Sequence, residues 1–375
     1  MTGMAGSVET VDLRPGHRIS RIIKGGWQLA GDHGAVDRVA AIRDMEAFVD
    51  AGINAFDCAD IYKGVEEMIG DFIADLRRRR GADAIDQIRI HTKLVPDLGR
   101  LNDLKPAEVE AIIDRSLARL QVEQLHLVQF FWWDLSLGDP VQAMEVLKRC
   151  QEKGKIANLG VTNWDAPEIA PFIESGCDIA SAQVQYSLLD RRPADSLADW
   201  GRSRNMQLVC YGTLAGGFLT DKWLGKPDPG FSFENRSLIK YRLIIDEFGS
   251  WSQFQHLLEV LNGVGEKHDV SLSAIATRWV LDQPQVAAAI VGARYARHLP
   301  PMLDVFKIRL DREDLVDIDS ILNEARGPIG PVYGLERDRT GRHGRIMKYN
   351  LNTRPDDKIL AGEVASARTQ GAENG

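Results

Sequence analysis

The sequence predicts a single (β/α)8 barrel, the TIM fold. Short apolar runs alternate eight times with longer amphipathic stretches. The runs lack the strict polar–apolar alternation of a sheet with one wet face, as strands buried on both faces do. The alternative is an open doubly wound sheet, which favours a glycine-rich phosphate turn after its first strand. Here that position reads GGWQLAG, without G-x-G-x-x-G spacing.

The elements follow in order. Ile22–Gly26 precedes a helix-like stretch from about Val36 to Asp50. Ile53–Ala59 precedes GVEEMIGDFIADL, and Ile88–Leu94 precedes PAEVEAIIDRSLARL. In the latter, Val109, Ile112, Ile113, Leu117 and Leu120 recur at helical spacing. Leu125–Phe131 precedes PVQAMEVLKRCQEKG, Ile156–Thr162 precedes APEIAPFIESG, and Ile179–Tyr186 precedes ADSLADWGRSR. Met206–Gly212 leads into a long connection from Leu214 to Ser250, followed by helical sequence. Loops that long are functional or disordered, and the aromatics Phe218, Trp223, Phe231, Phe233 and Tyr241 favour an ordered excursion. Val286–Gly292 is the eighth run. The barrel is expected over residues 1–328, with a C-terminal extension over 329–375 whose last fifteen or so residues read as disordered.

Composition narrows the function. The 375 residues carry 46 Lys+Arg against 54 Asp+Glu, a formal charge of −8, which argues against general nucleic-acid affinity. Hydrophobic residues make up 44%, yet no apolar run is long enough to span a bilayer, and the N-terminal stretch lacks the apolar core of a secretion signal. Cys58, Cys150, Cys177 and Cys210 are scattered, without CxxC pairs or zinc-like spacing. Four reduced thiols in a cytoplasmic protein, with no metal site, is the expectation. The Arg77–Arg80 run reads as a solvated last helical turn.

In such barrels reactive residues gather at strand C-termini. Those positions hold Asp57 with Tyr62 close behind, then Lys93, then Phe131 with Trp132 and Trp133. Thr162 and Asn163, Gln183, and Tyr211 with the glycines after it follow, and the last strand ends near Arg294. From spacing alone, Asp57, Lys93 and Tyr62 read in either of two ways. They form a proton-handling unit in which the ammonium lowers the phenol's pKa, or a structural ion pair beside a tyrosine.

Several of these segments resemble the aldo-keto reductases in family order. FDCADIY (Phe56–Tyr62) is similar to their D-T-A-x-x-Y, and Thr92–Lys93 to their catalytic lysine strand. GVTNW (Gly160–Trp164) resembles G-V-S-N-F, and Gln183 fits their strand-six glutamine. YGTLAGGFLTDK (Tyr211–Lys222) resembles Y-S-P-L-x-x-G-x-L-T-G-K, and VGARY (Val291–Tyr295) their P-G-A-R/K segment. The resemblance implies an NADP(H)-dependent oxidoreductase acting on a small carbonyl or alcohol. Tyr62 would be the general acid/base, tuned by Asp57 and Lys93. Thr162, Asn163 and Gln183 would hold the nicotinamide carboxamide, beside Gly26, and Tyr211 would stack on its ring. The loop from Gly212 through Thr213, Leu214 and Gly216 to Leu219 would wrap the pyrophosphate. Arg294 would meet the adenosine 2′-phosphate, with His298 nearby.

Two positions depart from the family. Its catalytic histidine falls here on Phe131, in the register set by Leu120 and Trp132; a slip would put Gln129 there instead. Phe131 offers no strong hydrogen bond, and losing such a donor costs about 10²–10³ in rate. Pro301 and Met302 stand where the family carries adenine-binding polar groups. His126, at a family aspartate position, reads as a core histidine. Trp27, Phe131 and Trp132 would line an aromatic pocket suited to a ring-shaped or sugar-like substrate. The altered histidine position keeps two other readings open: a redox-neutral lyase or isomerase on this scaffold, and a nicotinamide-binding regulatory protein with little turnover. The C-terminal extension resembles a specificity element, with a subunit contact as the alternative. Oligomeric state stays open.

Overall fold

A computed structural model describes residues 7–30, 36–195, 197–233 and 235–352. Two strands, β1 (Thr10–Arg14) and β2 (His17–Ser20), form an antiparallel hairpin. Eight parallel strands then close a barrel: β3 (Ile22–Gly25), β4 (Ala55–Asp57), β5 (Arg89–Leu94), β6 (Leu125–Phe130), β7 (Ile156–Thr162), β8 (Ile179–Gln185), β9 (Gln207–Tyr211) and β10 (Val286–Gly292). β10 pairs with β3 to complete the ring. Seven of the predicted runs supply these strands with ends within one residue; Ile53–Ala59 shortens to three residues because Cys58 already leads into the turn carrying Tyr62.

Helices α1 (Arg38–Asp50), α2 (Val65–Arg80), α3 (Pro106–Leu120), α4 (Pro140–Glu152) and α5 (Ala166–Glu174) follow β3 to β7 in turn. The short α6 (Arg192–Asp195) and α7 (Leu197–Arg202) follow β8. Local chemistry fixes their starts. Asp37, Asp139 and Asp165 accept N-terminal amide hydrogen bonds as caps, and proline occupies the first turn of α3, α4 and α5. α2 ends on Arg77–Arg80, as expected, with Arg79 and Arg80 paired to acidic neighbours on the exposed surface.

The connection after β9 holds a helix that the sequence reading treated only as ordered excursion, α8 (Arg236–Phe248), capped by Asn235. α9 (Trp251–His268) and α10 (Leu272–Leu281) lead to β10, and α11 (Leu299–Leu303) and α12 (Arg312–Leu322) complete the helix layer. The chain from Arg326 to Asn352 then runs back across the barrel mouth and includes a single turn, α13 (Gly334–Arg337). The residues read as disordered at the C-terminus lie outside the described residues.

The hairpin was not anticipated, although Arg14-Pro15-Gly16-His17 between alternating apolar residues is a readable turn signal. It stoppers the N-terminal end of the barrel. Leu13 and Ile19 pack on Ile23, Ala55, Leu127, Ala180, Val209 and Ala287, the inward residues of the strands. Burying each of those two side chains contributes about 1.5–3 kcal/mol. The rest of the core fills the layer between strands and helices.

Three histidines seal this end. His17 Nε2 lies 3.0 Å from His91 Nε2, so one ring donates and the other must be unprotonated there. His126 Nδ1 accepts from the Ile90 amide, which gives His126 the core role expected of it. Burial, then His126 and Arg89, hold His17 down at about 3; burial and Arg89 hold His126 at about 4. Burial also pushes His91 well below the usual range. Unfolded histidines titrate near 6.5. The unfolded chain therefore binds more protons than the native one between those values. Stability present above about pH 6.5 is lost as pH falls toward the folded values. Denaturant midpoints measured from pH 7 to 4 should fall steeply in the wild type and less steeply in His17→Gln. Equal slopes would show that the cluster does not drive acid unfolding.

Candidate active site

The C-terminal strand ends converge on one buried polar unit. Strand pairing sets Gly25 beside Asp57 and Lys93 beside Gln129. It also sets Thr162 beside Gln183 and Gln185 beside Tyr211. Asp57 sits at its centre. Its Oδ2 accepts from Lys93 Nζ at 2.6 Å. Its Oδ1 accepts from Gln183 Nε2 at 2.6 Å and Gln129 Nε2 at 3.2 Å. Lys93 also donates to the Cys58 carbonyl at 2.8 Å. The side chains of Asp57 and Lys93 are each only 5% exposed. Gly26 permits this arrangement: its amide donates to the Asp57 carbonyl at 2.7 Å, and a Cβ there would meet that same oxygen and Val65.

Tyr62 joins the unit. Lys93 Nζ lies 5.1 Å from its ring centroid, and Trp27 packs against the ring at 4.9 Å. The expectation that the ammonium lowers the phenol's pKa fails on balance. Burial dominates and pushes Tyr62 up to about 12, with Lys93 pulling it down and Asp57 pushing it up. Burial opposes the charge on Lys93 too, but Asp57 and Tyr62 outweigh it and the ammonium is raised above its ordinary value. At neutral pH the phenol is thus a proton donor beside a firmly held cation.

The remaining expected residues divide. Asn163, with φ of 59°, turns its Oδ1 to the Tyr211 hydroxyl at 2.7 Å. Thr162 spends its hydroxyl on the Gln183 carbonyl, and Gln183 spends its amide on Asp57 and Gln129. After Tyr211 the chain curls through Gly212 and Gly216, both at positive φ, where any Cβ would strike Tyr241 of α8. Within this turn the amides of Ala215, Gly217, Phe218 and Leu219 bond to the turn's own carbonyls. Thr213 is buried and Leu214 partly so. Arg294 is half-buried and His298 exposed just beyond β10. Pro301 and Met302 belong to α11, where Met302 is buried in the core.

The aromatic wall differs from expectation. Gln129 points inward, so Phe131 points inward one step higher and Trp132 cannot. Trp132 lies in the helix layer instead, on Phe130, with its Nε1 donating to the Leu137 carbonyl. Trp133, partly exposed, packs edge-on to Phe131. Phe131 is also capped edge-on by Tyr333 from the C-terminal segment. Tyr333 holds a left-handed φ of 61°, a conformation that costs a bulky residue about 1–2 kcal/mol and persists only where packing demands it.

The sequence reading also missed a second group of charges at the mouth. Asp190 binds Arg192 through two hydrogen bonds, at 2.8 and 2.6 Å. Glu336 of α13 is buried, 3.5 Å from Arg192 and 3.6 Å from Lys240 of α8. Neither Glu336 oxygen has a hydrogen-bond partner among the described residues. The same segment is tied down by Arg337, which donates to the Asn163 carbonyl at 2.5 Å and pairs with Glu168. Asp97 accepts from the Leu351 and Asn352 amides. Nothing local in the sequence marks this group, because its members come from three distant segments.

The comparisons with known proteins agree with this fold. The model of the Aldo/keto reductase family matches residues 21–323, and the chain belongs to that family, whose members are nicotinamide-dependent oxidoreductases of small carbonyl compounds. An aldo-keto reductase of Bacillus subtilis is 28% identical over 330 residues, covering 85% of this chain and 95% of its own. An Escherichia coli protein named as an NADH-specific methylglyoxal reductase is 22% identical, covering 79% of this chain and 92% of its own. The solved structure of a glycerol dehydrogenase from Gluconobacter oxydans superposes with a TM-score of 0.70 at 26% identity, over 88% of this chain and 99% of that one. Among the described residues no helix is long and apolar enough to cross a membrane, and no acid, histidine or cysteine group forms a metal site.

Breaking the ion pair tests its place in the structure. Lys93→Met leaves Asp57 buried without its cation and should cost about 3–5 kcal/mol. The double variant Asp57→Asn/Lys93→Met leaves no unpaired charge, so it should lose clearly less than the two single losses added together. Strict additivity in denaturant unfolding would contradict the coupling.

Proposed function

We propose that this protein is a cytoplasmic, NADP(H)-dependent oxidoreductase that transfers hydride between a nicotinamide and a small carbonyl or alcohol, with Tyr62 as general acid/base. The observation that carries this reading is the closed unit of Asp57, Lys93 and Tyr62 at the barrel mouth.

The chain fits a nicotinamide. Asn163, Tyr211, Tyr62 and Trp27 all keep part of their surface open at the same mouth, while the strands beneath them are buried. Asn163 would hold the carboxamide, with Thr162 and Gln183 fixing its position from behind, and Gly26 would admit the ring close to the strand end. Tyr211 would carry the ring. Of the loop amides, those of Thr213 and Leu214 make no backbone bond among the described residues, so they would face the pyrophosphate beside Gly212 and Gly216. Arg294 would meet a 2′-phosphate, which favours NADPH over NADH, with His298 at the rim. The bound cofactor supplies the hydride.

The protein's own part is protonic and electrostatic. In reduction, the Tyr62 hydroxyl donates its proton to the substrate oxygen. Lys93 stabilises the phenolate so formed, and Asp57 fixes the ammonium in place. In oxidation the same oxygen accepts the proton. Trp27, Trp133 and Phe131 enclose the substrate in apolar walls, which excludes water and suits activated or ring-shaped carbonyl compounds.

Reduction of 4-nitrobenzaldehyde by NADPH tests the assignment. Tyr62→Phe should lower kcat/KM by about 10² or more. Since Tyr62 stays protonated up to about 12, reduction should lose nothing to its ionisation between about pH 6 and 9. Unchanged turnover in Tyr62→Phe would remove Tyr62 from the chemistry.

A further inference from the structure

Lys240 of α8 faces Tyr211. Its ammonium lies 5.2 Å from the Tyr211 ring centroid, 5.6 Å from Tyr241 and 5.4 Å from Tyr333. It comes from the excursion, and its counter-charge, Glu336, comes from the C-terminal segment. The pairing is loose. The closest approach is 3.6 Å, and Glu336 also faces Arg192, whose charge is already matched by Asp190. The lysine side chain remains 13% exposed, so it reaches the same mouth on which Tyr211 and Asn163 open.

An aromatic face attracts a cation through its quadrupole. Tyr211 therefore already serves a resident cation. The nicotinamide ring is cationic when oxidised and neutral when reduced. Laid on Tyr211, the oxidised ring is repelled by Lys240 at short range in a poorly screened site; the reduced ring is not. Glu336 moderates the repulsion from 3.6 Å, without a hydrogen bond to the ammonium.

We propose that Lys240, with Glu336 as its counter-charge, sets the oxidation state of nicotinamide that this site prefers to bind, biasing binding toward the reduced form. The inference rests on the nicotinamide reading above. Lys240 acts here as a specificity-determining residue for the cofactor's charge state and takes no part in proton transfer.

Calorimetric dissociation constants for NADPH and NADP⁺, with NADH and NAD⁺ as a second pair, give the test. The ratio within each pair cancels the phosphate contacts. Lys240→Met should tighten the oxidised form relative to the reduced one by roughly tenfold, about 1.4 kcal/mol. Glu336→Gln should move the ratio the opposite way by a similar factor, because the ammonium is then uncompensated. Lys240→Arg keeps the charge and should hold the ratio within about twofold of wild type. Opposite shifts from the two neutralising variants cannot arise from general loosening of the mouth. If all proteins bind both forms and the ratios stay within about twofold of wild type, the inference falls and the proposed function stands. If wild-type protein binds neither form, both fall.

Discussion

The buried ion pair between Asp57 and Lys93 is the constraint around which the barrel mouth is arranged. Two opposite charges are held 2.6 Å apart, each almost wholly removed from solvent. Such a pair costs desolvation energy that only close geometry and further hydrogen bonds offset. Those bonds come from Gln183, Gln129 and the Cys58 carbonyl, so four strand ends are committed to one carboxylate and one ammonium. Gly26 is glycine because its strand must approach the Asp57 carbonyl. Tyr62 is then placed where it feels a permanent cation without being ionised by it. The arrangement gives an acid that stays loaded at neutral pH and a cation ready to receive the phenolate.

Phe131, the position where the resemblance leads one to expect a histidine, is part of the same arrangement. Phe131 stands above Gln129 and is enclosed by Trp133, Trp164 and Tyr333. The polar support that Asp57 lacks from that direction is supplied one layer lower, by Gln129. The mouth is therefore apolar at the level of the substrate and polar beneath it. The C-terminal segment completes the apolar level through Tyr333. It also reaches the Asn163 side of the mouth through Arg337 on the Asn163 carbonyl. A segment that touches both sides would couple substrate enclosure to the proposed cofactor seat.

Much of this was legible in the sequence. Eight β-rich runs gave the strands, because strands buried on both faces leave an unambiguous apolar signal. The motif residues Asp57, Lys93, Asn163, Gln183 and Tyr211 fall at or near the strand ends, with Tyr62 on the turn after β4, as their order requires. The failures have physical causes. The direction of the Tyr62 shift depends on burial, which spacing does not report. The pocket place expected of Trp132 fails because strand parity counted from Gln129 turns it outward. The hairpin was passed over because its strands are short and precede the repeating pattern. α8 was hidden behind a glycine- and proline-bearing stretch. The Lys240–Glu336 pair joins segments far apart in the chain, and no local signal connects them.

The central claim is that this buried unit serves hydride transfer. The direct measurement is a single turnover of 4-nitrobenzaldehyde with NADPH deuterated on one face of C4, following the label into the alcohol by mass spectrometry. One face should deliver one deuterium to the carbinol carbon and the other none, with one nicotinamide oxidised per product. Product formed without label from either face and without nicotinamide oxidation would contradict the account and move the chemistry to a redox-neutral reaction.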